Sequence, residues 1–205
     1  MMGTYMFEDV EPTAISEFHD ACVNTDRWAK TAPARFDDGL WHYIELNHRN
    51  NCLLWDEEDQ ARRRDVGDEL IAANKRAIDG YNQRRQDAIE KIDECLLQRA
   101  AGVARLPDAR QNSETAGSII DRLSILSLKL YHMDKQRQRA DAGVEHVERC
   151  AAKHRVLQEQ RADLQNCLQA LLREVARGAA YFKVYRQFKM YNDPSLNPYL
   201  YGGKR

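Results

Sequence analysis

Glycine and proline are scarce in this chain, ten and five among 205 residues. No run of β-branched residues alternates with polar ones, so nothing is patterned as a half-buried strand. Long apolar stretches are missing too. No window approaches 18 apolar residues, and the opening "MMGTYMFEDVEPTAISEF" has no basic segment ahead of an apolar one. These absences argue against a membrane span or a secretory leader and for a cytoplasmic location. Charge of one sign is also lacking: 31 Lys+Arg face 32 Asp+Glu, a formal net charge of −1. No global field draws the chain to nucleic acid or an anionic membrane, which leaves a small ligand or a protein partner. The five cysteines are odd in number and form no CxxC pair, as expected of reduced thiols rather than a disulfide framework or zinc site. G-x-S-x-G, Walker A, G-x-G-x-x-G and H-E-x-x-H motifs are all absent, so the standard hydrolase, nucleotide-triphosphate and dinucleotide routes have no support.

What is present is helix. At 43% hydrophobic the chain can bury a substantial core as one domain. Turn chemistry concentrates at "TAPARFDDG", "GVARLPDARQNSETAGS" and "NDPSLNP". Between these breaks the pattern predicts an all-α bundle of five to six helices. An N-terminal helix and connector occupy residues 1–36. The bundle core, 37–205, ends in an aromatic and basic helix and a Pro-rich tail. The first helix is expected from about Thr13 to Trp28 and the second from about Asp38 to Arg64. A third restarts at Asp65 on an N-cap carboxylate or continues the second as a kinked helix. The segment after Thr115–Ser118 has Ile119, Ile120, Leu123, Ile125, Leu126, Leu128 and Leu130 on nearly all sides, which marks a buried central helix. From Cys150 to Val175, apolar steps of three and four predict a long antiparallel or coiled-coil helix whose Leu157–Val175 seam is available for self-association.

One helix has two organised faces. At about 100° per residue, Leu46, Leu53, Leu54 and Ala61 share one arc of "NHRNNCLLWDEEDQAR" and its surroundings. Asn47, His48, Asn51, Trp55, Glu58, Asp59 and Arg62 share roughly the opposite arc. Asn, His and Trp are poor helix formers that ordinary surfaces do not gather at one phase, so this arc is expected either to satisfy itself across helices or to wall a pocket. His48 with Glu58 or Asp59 is the natural acid–base set, because imidazole changes charge near neutral pH. Glu45-Leu-Asn-His48 is an E-x-x-H sequence. A di-iron bundle needs a second such motif, which is absent, so no metal site is expected.

The strings "LNHRNNCLLWDEEDQARRRD", "KRAIDGYNQRRQDAIEKID", "ETAGSIIDRLSILSLKLYHM" and "YRQFKMYND" resemble the bacterial family called domain of unknown function 4254. The resemblance spans about residues 40–200. It is carried by the polar arc of Asn47–Arg62, then Asp79, Asn82, Gly117, Asp121, Arg122, Lys129, Tyr185, Lys189 and Asn192. It implies a helical protein with no assigned activity, often encoded near glycosyltransferases of lipopolysaccharide and related surface-glycan assembly.

Other segments add candidates. Thr115, Gly117 and Ser118 open the buried helix, where free N–H groups favour a phosphate or carboxylate, or where Ser118 and Asp121 form a plain cap. Gly117 there is expected to admit a ligand and to tolerate Ala without loss of folding. Lys75 and Asn82 fall near the Ile71, Ile78 and Ile89 stripe. Tyr181, Phe182, Tyr185, Phe188 and Tyr191 interleave with Lys183, Arg186 and Lys189, a composition that stacks bases or sugars but carries no recognised RNA-binding motif. No nucleic-acid partner is therefore expected.

Two functional readings follow. In the first, the protein binds or modifies an anionic metabolite, a sugar nucleotide or sugar phosphate, in bacterial surface-glycan assembly. Arg62, Arg122 or Lys189 neutralises phosphate, Asn47, Asn51 and Asn82 read hydroxyls, and Trp55, Asp121 and Tyr185 complete the wall. In the second it is a noncatalytic scaffold that docks a glycosyltransferase or forms a homodimer. The residues name no cofactor.

Overall fold

The computed structural model describes residues 6–186, 193–200 and 202. Among these the chain forms helices α1 (Pro12–Val23), α2 (Trp28–Thr31), α3 (Gly39–Gln60), α4 (Asp68–Arg99), α5 (Ala116–Arg137) and α6 (Val144–Ala176). The all-α bundle expected from the sequence is therefore the fold. Two-residue strands β1 (Arg110–Gln111) and β2 (Ala180–Tyr181) pair in parallel, with Arg110 opposite Ala180, and tie the α4–α5 connection to the end of α6. No helix among the described residues is long and apolar enough to cross a membrane.

α3 packs along α4 and α5 along α6, and α5 also touches α1, α3 and α4. That central position explains its all-round hydrophobicity. Ile120 and Leu123 of α5 and Leu168 of α6 are 0% exposed, each contributing about 1.5–3 kcal/mol through burial. Leu164, Leu168, Leu171 and Val175 of α6 sit in the same core as Ile15 and Phe18 of α1. Most of the seam offered for self-association is thus consumed inside the molecule.

Helix ends depart from expectation for local reasons. α1 stops at Val23 because the Asn24 side chain and backbone N–H both turn back to the Asp20 carbonyl, at 2.7 and 3.1 Å. Arg27 then adopts a left-handed φ of 52° before α2. Asp65 does not cap α4. It pairs with Arg63 at 2.8 Å, and α4 begins at Asp68 behind Gly67. The C-terminal aromatic segment begins as β2 rather than as a helix, and residues 182–186 run in irregular backbone. Phe188, Lys189 and Tyr191 lie outside the described residues.

Glu45 and Arg49, one turn apart on α3, fasten the loop between α2 and α3. Glu45 Oε2 accepts the backbone N–H groups of Arg35 and Phe36, at 2.9 and 3.1 Å. Arg49 donates to the carbonyls of Trp28, Ala29 and Ala32 at 3.0–3.1 Å and to Glu45 Oε1 at 2.9 Å. The carboxylate of the E-x-x-H sequence is therefore engaged in holding backbone.

Candidate functional site

The polar arc of α3 splits by depth. Its first two turns enter a buried network centred on Asp121 of α5. Asn47 and Asn51 donate to Asp121 Oδ1 at 2.8 and 2.9 Å, and Asn51 also donates to Ser124 Oγ at 2.9 Å. Arg85 of α4 closes the network bidentately, Nε to Oδ1 at 2.8 Å and Nη2 to Oδ2. The arrangement ties α3, α4 and α5 together, because a buried carboxylate needs every such donor.

His48 belongs to this interior. It is 0% exposed, with Nδ1 2.8 Å from Ser124 Oγ and its ring stacked on His19 of α1 at 4.3 Å. Burial pushes its pKa down to about 3, against the hydrogen bond with the His19 backbone that favours the charged form. Both ring nitrogens of His19 lack a partner among the described residues, and burial followed by the nearness of His48 lowers its pKa as well. Ser124 accepts from Asn51 and so keeps its own hydrogen for His48 Nδ1, which fits a neutral imidazole. His48 is thus separated from Glu58 and Asp59, with which it shares a helical phase.

The later turns of α3 reach an open cleft. Asn51, Trp55, Glu58, Asp59 and Arg62 line it with Asn82 and Arg85 of α4 and Leu128 of α5, around a volume of about 430 Å³. Trp55 lies flat on His132 of α5, with centroids 4.4 Å apart and planes 9° apart. Burial lowers the His132 pKa, opposed by the charges of Asp59 and Asp56. Arg62 pairs with Glu58 at 2.9 Å. Donors, acceptors and an aromatic face are therefore gathered at one opening, a composition suited to hydroxyl-bearing ligands.

The start of α5 is satisfied from within. Thr115 Oγ1 accepts the Ser118 N–H at 3.1 Å and lies 2.9 Å from Ser118 Oγ, so the cap pairs Thr115 with Ser118 rather than Ser118 with Asp121. The Gly117 N–H donates to Asp93 Oδ1 of α4 at 2.7 Å, so the protein's own carboxylate takes the position expected for a ligand anion. Burial raises the Asp93 pKa to about 6, against hydrogen bonds from Thr115 and Gly117. A Cβ at Gly117 would lie 2.6 Å from the Ile89 carbonyl oxygen and 2.9 Å from Asp93 Oδ1. The glycine serves close packing of α5 on α4, so Ala there meets a clash that the helical pattern alone does not disclose.

Two other candidates lie elsewhere. Arg122 is exposed and pairs with Glu114 at 2.8 Å. Tyr185 is 70% exposed on irregular backbone. Lys189 is outside the described residues. Lys75 also stays off the cleft and pairs with Asp79 at the surface. Sequence reasoning misses Arg85, Ser124, His132 and His19. The first had a signal: Arg85 continues the Ile78, Asn82, Ile89 stripe, the pattern that singles out Asn82. His132 continues the Asp121, Ile125, Leu128 phase in the same way.

No curated protein and no solved structure matches the chain. The family model described as "Protein of unknown function (DUF4254)" matches residues 41–184, from α3 through β2. That span holds every residue of the cleft, and the chain belongs to this family.

Proposed function

We propose that the cleft between α3, α4 and α5 binds a sugar phosphate or sugar nucleotide in bacterial surface-glycan assembly in the cytoplasm, with a glycosyltransferase as the partner this role implies. One observation carries the reading: the late turns of the polar arc and Asn82 face a single opening of about 430 Å³, with Trp55 forming a flat wall. Asn51, Asn82, Glu58 and Asp59 are suited to hydroxyls, and Trp55 to the apolar face of a sugar or base. Arg62 and, on the far side of Trp55, Lys129 are cations at the rim for phosphate. If the bound sugar is also chemically modified, Asp59 and Glu58 are the acid–base groups at hand, with His132 behind them.

Thermal melts of the purified protein with a panel of nucleotide sugars and sugar phosphates test the reading. A ligand at 100 times its Kd adds about 2.7 kcal/mol, and Asn82→Ala, at a cost of about tenfold in affinity, should cut that gain roughly in half. A panel in which nothing stabilises the protein at millimolar concentration removes the proposal.

A further inference from the structure

Trp55 and Asp59 wall two depressions at once. Beyond them from the polar cleft, a groove of about 650 Å³ runs between α5 and α6, lined by Met133, Ala152, Val156 and Leu157 with Lys129 and Lys153. The two depressions differ in how their cations are used. In the cleft Arg62 is already paired with Glu58 and Arg85 with Asp121. In the groove, Lys129 and Lys153 have no ion pair among the described residues. With two lysines against the single carboxylate of Asp59 in its lining, the groove keeps a net positive charge for an added anion. The cleft side, with Glu58 and Asp59, is better matched to hydroxyl groups. Met133, Ala152, Val156 and Leu157 supply the aliphatic part of the lining, and Val156 is 51% exposed. Apolar surface gathered in a groove next to a polar cleft marks a place where an apolar group binds.

We propose that the molecule bound across Trp55 is an amphiphile, with a polyhydroxylated head in the cleft, a phosphate at Lys129 and Lys153, and an aliphatic chain along Met133, Val156 and Leu157. The inference rests on the polar-cleft reading and adds to it the lipid chain.

Calorimetric titration of the full-length protein with alkyl phosphates from methyl to octyl, below their micellar concentrations, tests this. Each methylene that enters the groove is expected to tighten binding roughly threefold to fourfold until the groove is filled. Octanol, which lacks the phosphate, should bind at least tenfold more weakly than octyl phosphate. Val156→Asn, an uncharged polar change at a half-exposed position, should weaken octyl phosphate several-fold with an unchanged circular dichroism spectrum, and leave glucose 1-phosphate unaffected. Lys153→Glu should weaken both. Affinity that ignores chain length, or that survives Val156→Asn, overturns the groove even if glucose 1-phosphate still binds and the cleft reading stands. Chain-dependent binding with no sugar phosphate or sugar nucleotide bound supports the groove and removes the cleft reading alone.

Discussion

Asn51 of α3 and Asp121 of α5 stand 70 positions apart in the chain and 2.9 Å apart in the fold, the amide donating to the carboxylate. Through Asp121 the same contact reaches Asn47 and Arg85, so one carboxylate orients three donors from two helices. Arg85 in turn forms part of the cleft wall. Packing and site are therefore coupled at this point.

Asp121→Ala strands these donors. Leaving Arg85 half-buried without its counter-ion and the Asn47 amide without its acceptor, while Asn51 keeps Ser124, should cost roughly 3 kcal/mol of stability. Urea denaturation of the variant measures this directly. A loss below about 0.5 kcal/mol would mean that water replaces the carboxylate and that the network does not hold the helices.

Gly117→Ala sets two effects against each other. Alanine favours helix by about 1 kcal/mol, but its Cβ meets the Ile89 carbonyl oxygen, a backbone atom that yields only if α4 and α5 move apart. Overpacking of this kind costs about 1–3 kcal/mol, so the clash should prevail. With about 2–4 °C per kcal/mol for a chain of this size, the melting temperature should fall by several degrees. An unchanged or raised melting temperature would show that the interface relaxes freely.

Acid should destabilise the fold in a way that Asp93 moderates. His48 titrates near 3 in the folded state and His19 also well below its usual value, while both take up protons near about 6.5 once unfolded. The unfolded state then binds more protons, so stability falls as pH drops below about 6.5. Asp93 works in the opposite sense: its folded pKa is raised to about 6, so the native state gains a proton that the unfolded chain accepts only near 4. Between about pH 6 and 4.5 the balance is roughly one proton, or about 1.4 kcal/mol per pH unit. Asp93→Asn removes the offset and should roughly double that slope while raising stability at pH 7. Urea midpoints at pH 7, 6 and 5 for both proteins decide it, and parallel profiles would refute the assignment to Asp93.

How far the sequence discloses this molecule depends on whether a signal is periodic or spatial. The two-faced pattern of α3 is periodic. It marks Asn51, Trp55, Glu58 and Arg62 as one wall, because residues three and four apart share a side of any helix. It cannot show where a helix passes from interior to opening, and so groups His48 with Asp59 although Ser124 and His19 enclose the former. The capping of α5 is legible at Thr115 but not at Asp93, which is 24 positions away on another helix. Arg85 and His132 carry a periodic signal, since each continues a stripe with Asn82 or Asp121, but only the fold shows what each meets across the interface.

The separation of His48 from Asp59 can be measured with two variants. His48→Ala should leave Ser124 short of a partner, remove the stacking surface of His19 and open a cavity, costing roughly 2–4 kcal/mol. Asp59 is exposed at the cleft, so Asp59→Asn should change stability by no more than about 0.5 kcal/mol. Binding should respond the other way round. At a temperature where both variants remain folded, the affinity of the cleft for a sugar phosphate found by the panel should be nearly unchanged in His48→Ala. In Asp59→Asn it should fall about tenfold, the order expected for one hydrogen bond to a charged acceptor. Urea melts paired with calorimetric titrations give both quantities from the same preparations. Should His48→Ala instead fold normally and lose binding, the imidazole would have to reach the ligand through a motion of α1, and the division of the polar arc into an interior half and a cleft half would fail.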